Sequence, residues 1–221
     1  MSVKEGQLEN WMPGDILGFS GRGATSATIK VATCSRISHV GCIASVSHSQ
    51  LSHLVSGGAL DVPKDILSCW TDRLLVFEST TLASSPCEIT GKRMSGVQAH
   101  DPAERVKSYD GSVWRYRLNP IWRGDMLNKD GFTRLSGHLL AKIGTHYDGH
   151  GAILSGTRII KHWWSWSKAD RSSLFCSEYL AGVLTHVGLF PLGNASKVTP
   201  AGLLRSLIEA EVYAAPVLIK E

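Results

Sequence analysis

No apolar run in the 221-residue chain approaches the ~18 residues of a membrane-spanning helix, so no span is expected. The polar start, MSVKEGQLEN, lacks the apolar core of a signal peptide. The cytoplasm is therefore the default compartment, with virion or secretion-system delivery left open. Dense Lys/Arg runs are missing and the net charge is only +4, so nucleic acid is not an expected partner. The five cysteines (34, 42, 69, 87 and 176) are odd in number and include no Cys-x-x-Cys pair. They make neither a zinc pattern nor a tidy disulfide framework. His146 and His150 are four apart, but in a glycine-rich loop rather than on a helix, so no metal and no cofactor is expected. Internal repeats, low-complexity tracts and linkers are also missing, which leaves one domain over 1–221. With 43% hydrophobic and 19% charged residues, that domain can bury a sizeable core.

What is present reads as mixed helix and strand. Pro13-Gly14-Asp15 is a turn, and Ile16–Phe19 a short strand after it. Residues 25–32 read as a helix. Ile37–Val46 is a strand whose alternation puts His39, Gly41, Ile43 and Ser45 on one side. Residues 47–70, rich in Ser, His and Gly, read as a loop or insertion, and 82–111 as a second insertion. Arg73–Thr80 is a strong strand with one acid, Glu78, in an apolar run. Cys87–Thr90 reads as an edge strand and Val97–His100 as another short strand. Asp101-Pro102 starts a brief helix, with Asp as cap and Pro at the first helical position. Ser112–Leu118 is a strand, 127–143 one helix, and 212–219 a terminal strand. Thr199 caps the last helix, with Pro200 at its first position.

The stretch Leu174-Phe175-Cys176-Ser177-Glu178 sets a cysteine on the first turn of an apolar helix spanning roughly 173–187. Leu180, Val183, Leu184 and Val187 recur at three- and four-residue steps, and Gly188 stops the pattern. A helix N-terminus favours a thiolate, although most free cysteines are inert core thiols. Two side chains could serve the sulfur. His39 opens its strand, with small Gly41 on its own face. Glu78 needs a partner, because a buried unpaired carboxylate costs several kcal/mol. That partner is His39 if the two strands are neighbours, or an arginine such as Arg73. In the first case Cys176 is nucleophile, His39 base and Glu78 the group that orients the imidazole.

The order PGDILGF, SHVGCI, LLVFEST, THYDGH, LFCSEYLAGVL, VTPAGLL resembles the circularly permuted NlpC-type papain-like hydrolases, the YiiX/YebB-like branch. In that branch the His strand leads and the Cys helix comes late. The resemblance implies an α+β fold with a permuted papain-like core, antiparallel strands packed against the helix carrying the nucleophilic cysteine. It implies Cys176, His39 and Glu78 as the catalytic set. Tyr147, from the Tyr-Asp loop, is the candidate oxyanion donor beside the Cys176 backbone N–H. Ser177 sits next to the sulfur, as either an oxyanion group or a helix-start residue. Trp163, Trp164 and Trp166 form a cluster that lines a substrate groove, touches a membrane interface or packs beside the Cys helix. The expected activity is that of a cysteine peptidase or amidase, cleaving an amide through a thioester acyl-enzyme. The substrate would be a cell-wall peptide or a protein tail. The alternatives are a lipid or ester acyl hydrolase or acyltransferase on the same fold, and a non-catalytic binding module. Nothing in the sequence speaks to oligomeric state.

Overall fold

The computed structural model describes residues 10–81, 85–146, 176–191 and 198–221. Six strands form one sheet: β1 (Ile16–Gly21), β2 (His39–Val46), β3 (Arg73–Thr80), β4 (Gly96–His100), β5 (Gly111–Tyr116) and β6 (Val217–Lys220). Their order is β4-β3-β2-β1-β5-β6, and every neighbouring pair is antiparallel. The helices among the described residues are α1 (Ala24–Thr33), α2 (His48–Ser56), α3 (Lys64–Ser68), α4 (Pro102–Ser108), α5 (Pro120–Asn128), α6 (Gly131–Leu140), α7 (Cys176–His186) and α8 (Pro200–Glu209).

Strand alternation feeds two cores. Val40, Cys42, Ala44 and Val46 of β2 join Leu75 and Phe77 of β3 in the larger one. There they meet Leu180, Val183 and Leu184 of α7, Leu135 and Leu139 of α6, and Leu203 and Leu207 of α8. Burying each such side chain stabilises the fold by about 1.5–3 kcal/mol. Leu17, Phe19, Ile43 and Val76 belong to a smaller core, closed by Val106 and Tyr109 at α4 and by Val113. The apolar stripe predicted for the Cys helix is thus its buried face. Gly188 (φ +81°) ends that helix in the left-handed region, and the Leu189 N–H donates to Leu184 O at 2.8 Å.

Asp15, directly after the Pro13-Gly14 turn, is fully buried. Its carboxylate accepts from Arg115 Nε at 2.8 Å and Nη2 at 2.5 Å, and from Arg123 Nη2 at 2.8 Å. Two guanidinium groups so neutralise one acid and tie β1 to β5 and α5.

Four expectations need correction. Residues 47–70 are not loop: they hold α2 and α3. Helix α2 starts with a capping box, in which Ser47 Oγ accepts from Gln50 N and Gln50 Oε1 accepts from Ser47 N. Its one fully buried residue is Leu51, so apolar periodicity gave no signal. The 127–143 helix is two helices, α5 and α6, broken where Asp130 takes φ +51°. Asn-Lys-Asp-Gly at 128–131 is turn chemistry that overrides the apolar pattern. Cys87–Thr90 is a turn closed by Gly91 N donating to Cys87 O at 2.8 Å, not an edge strand. The terminal strand begins at Val217, since Tyr213 makes only an isolated bridge to Leu118.

The helix starts fare better. Asp101 accepts from Glu104 N, with Pro102 at the first position. Thr199 accepts from Gly202 N ahead of Pro200.

Candidate functional site

The site is built at the end of β2 and β3. The residue before His39, Ser38, donates its hydroxyl to Phe19 O at 3.2 Å and accepts from Gly21 N at 3.4 Å. These bonds pin the start of β2 against β1. Register places Glu78 opposite Gly41, two residues along from His39 and on the same face. Gly41 matters for space. A Cβ there would lie 3.1 Å from Phe77 O and 3.5 Å from Glu78 Cβ. With that room, the Glu78 carboxylate accepts from His39 Nε2 at 2.6 Å. Nδ1 is then the ring nitrogen that Glu78 does not hold, and Cys176, the first residue of α7, lies near enough for its charge to raise the His39 imidazole.

Glu78 is 0% exposed and has a second cationic partner. Arg105 of α4 donates through Nε at 2.5 Å and Nη2 at 3.1 Å, one to each carboxylate oxygen. Its guanidinium lies 5.4 Å from the Phe19 ring centroid and 5.1 Å from that of Tyr109. The end of α4 is fixed in turn by Lys220, whose Nζ donates to Val106, Lys107 and Tyr109 carbonyls. A second histidine, His100 of β4, has Nε2 3.8 Å from Glu78 Oε1. It also pairs with Gln98 at 3.0 Å and with Ser85 at 3.3 Å.

The electrostatics separate these groups. Burial pulls the His39 imidazole down, but the Cys176 sulfur and the Glu78 carboxylate outweigh it and lift its pKa to about 9. His100 moves the other way: burial lowers it, and the attraction of Glu78 does not recover the loss. The two imidazoles beside one carboxylate are therefore shifted in opposite directions. Burial also raises Glu78, yet Arg105 and His39 together hold its carboxyl far below the usual range. Arg105 is raised, because Glu78 outweighs the burial that lowers it.

The remaining predicted residues fall as follows. Ser177 is buried, with its hydroxyl donated to Val198 O at 2.5 Å, which ties the Cys helix to the segment entering α8. Tyr147, Trp163, Trp164 and Trp166 lie outside the described residues, as do 172–175 just before the cysteine. Arg73 pairs with Glu88 at 3.0 Å rather than with Glu78. Sequence reasoning missed Arg105 and His100. His100 carried one signal, since it shares its strand face with Gln98, the residue opposite Glu78. Arg105 carried none, because PAERVKS reads as a short solvated helix. Among the described residues no group of three or more His, Cys, Asp or Glu could hold a metal ion. Also among them, no helix is long and apolar enough to cross a membrane.

These features define an α+β protein with a six-stranded antiparallel sheet flanked by helices. No protein-family model matches the chain, and no curated protein matches it. Among solved structures it is similar to the metalloprotein yiiX from Escherichia coli O157:H7, at 16% identity and a TM-score of 0.44. That alignment covers 94% of this chain and 88% of the other. The likeness is loose, and no activity follows from it.

Proposed function

We propose that the protein is a cysteine hydrolase of the permuted papain-like type, cleaving an amide bond in a peptide through a thioester acyl-enzyme. The observation that carries this reading is the 2.6 Å hydrogen bond from His39 Nε2 to the Glu78 carboxylate, with Cys176 near enough to act on the charge of the same imidazole. In this reading the imidazole takes the Sγ proton through Nδ1, and Glu78 fixes the ring by accepting from Nε2–H. The sulfur attacks the carbonyl carbon and a tetrahedral oxyanion forms. The Cys176 backbone N–H, at the helix start, would donate to that oxygen. The imidazolium then protonates the leaving amine as the C–N bond breaks. Water, deprotonated by the same imidazole, hydrolyses the thioester and frees the sulfur. His39 keeps 13% of its side chain exposed while Glu78 has none, so it is the edge of the group open to solvent.

The test is a peptidyl electrophile that acylates or alkylates an activated thiol. Wild type is expected to carry the adduct on Cys176, and Cys176→Ala to carry none. Equal labelling of the two removes the reading.

A further inference from the structure

We infer that Arg105 is a positioning residue for the same site, holding Glu78 ionised and in one orientation so that His39 presents Nδ1 to Cys176. This rests on the proposed cysteine chemistry and adds a fourth member, from an element that sequence reasoning placed in an insertion. The geometry is that of a built support. The guanidinium reaches both carboxylate oxygens, at 2.5 and 3.1 Å. Arg105 is only 5% exposed and lies against the rings of Phe19 and Tyr109, so its fork has little freedom to turn away. Phe19 also contacts the His39 ring, with centroids 5.3 Å apart. One aromatic side chain thus braces the acid's cation and the base together.

The physical need is clear from the alternative. Glu78 faces His39 from β2, Arg105 and Tyr109 from α4 and its end, and His100 from β4. His100 is an imidazole whose pKa burial lowers, and Tyr109 a phenol held up at about 12 by burial. Arg105 is therefore the one permanent cation among these groups. Without it, a carboxylate with no solvent contact would take up a proton far more readily. A protonated Glu78 no longer holds the imidazolium, and the ring loses its fixed orientation. A bidentate guanidinium also sets the carboxylate plane, which a lysine's point charge would not.

The experiment uses the full chain and measures the rate of iodoacetamide alkylation at Cys176 against pH, by mass spectrometry. Arg105→Met, Arg105→Lys and His39→Ala are compared with wild type, and far-UV circular dichroism checks that each is folded. Arg105→Met is expected to lower the neutral-pH rate by about 10- to 100-fold and to move the acid limb of the profile to higher pH. Arg105→Lys is expected to keep the acid limb in place while losing about 10-fold in rate, because charge survives and the fork does not. If Arg105→Met does not fold, Arg105→Lys alone decides. Rates and profiles equal to wild type in the folded variant overturn the positioning role while leaving the Cys176–His39 reading intact. Equal alkylation of wild type and His39→Ala overturns that reading, and the positioning role with it.

Discussion

Among the described residues two carboxylates are fully buried, Asp15 and Glu78, and each is bound by basic side chains. Asp15 is held by Arg115 and Arg123, and Glu78 by Arg105 and His39. The arrangements differ in one group. Both partners of Asp15 are guanidinium, which stays charged at any pH a protein meets. Such a cluster can fix β1, β5 and α5 in place, but it has no proton to exchange. At Glu78 one guanidinium is replaced by an imidazole, whose charge the nearby Cys176 also influences. Under the proposed function, the same kind of buried acid would serve a device that moves protons. A buried ion pair alone is weak grounds for function; a titratable partner that also reaches a nucleophile is stronger grounds.

The contrast is tested most severely at the acids themselves. Glu78→Gln is expected to cost on the order of 100- to 10,000-fold in reaction of Cys176 with a peptidyl electrophile, because the imidazole loses its anionic anchor. Asp15→Asn is expected to destabilise the fold by about 3–5 kcal/mol, because two guanidinium groups are left with no counter-charge. Urea titration gives that number, and the rate at Cys176 per folded molecule should stay within about 3-fold of wild type. A rate loss in Asp15→Asn as large as in Glu78→Gln would erase the distinction.

Next comes pH. His39 is raised from 6.5 to about 9, so its stabilising contribution is complete below about pH 6.5 and is lost as pH climbs through 9. Glu78 is depressed from 4.5, so its contribution is present above that value and is lost as pH falls through the acid range. Urea midpoints of wild type and His39→Asn should accordingly differ most between about pH 5 and 6.5 and converge toward pH 10. A difference unchanged from pH 6 to 10 would mean that the imidazole does not titrate against its partners. The Asp15 cluster, which holds no imidazole, predicts no such convergence on the alkaline side.

The smallest effect is expected at Arg73, the cation that the sequence left as the other partner for Glu78. It pairs with Glu88 at a half-exposed site and stacks 4.2 Å from the Trp70 ring centroid. Arg73→Ala should cost about 1 kcal/mol or less in a thermal melt, and should leave labelling of Cys176 at the wild-type rate.

What could be read from the sequence follows from where the information is local. The strands carrying His39 and Glu78 show it in their alternation, and the helix from Cys176 in its apolar stripe and its stop at Gly188. The neighbourhood of β2 and β3 was a condition in the sequence reading, and the register meets it, with Gly41 opposite Glu78. Arg105 was illegible for a physical reason. Its burial comes from the packing of α4 over Phe19 and from Lys220, 115 positions later, fastening the end of that helix. Asp15 was legible only as part of a turn, because Arg115 is brought to it by the pairing of β1 with β5 and Arg123 by α5, each about a hundred residues away. Helix α2 escaped notice because its start is encoded by a capping box rather than by periodicity. In each case the missed contact is long-range or polar, the kind of information that short apolar patterns do not hold.

The most direct measurement sets activation against exposure. Cys34 and Cys69 are exposed and Cys176 is buried. Brief iodoacetamide treatment of the folded protein at pH 6, where an ordinary thiol is almost wholly protonated, is followed by mapping the modified cysteines. The predicted result is alkylation at Cys176 ahead of Cys34 and Cys69, lost in His39→Ala. Alkylation at Cys34 and Cys69 with Cys176 untouched, in wild type as in His39→Ala, would contradict the account.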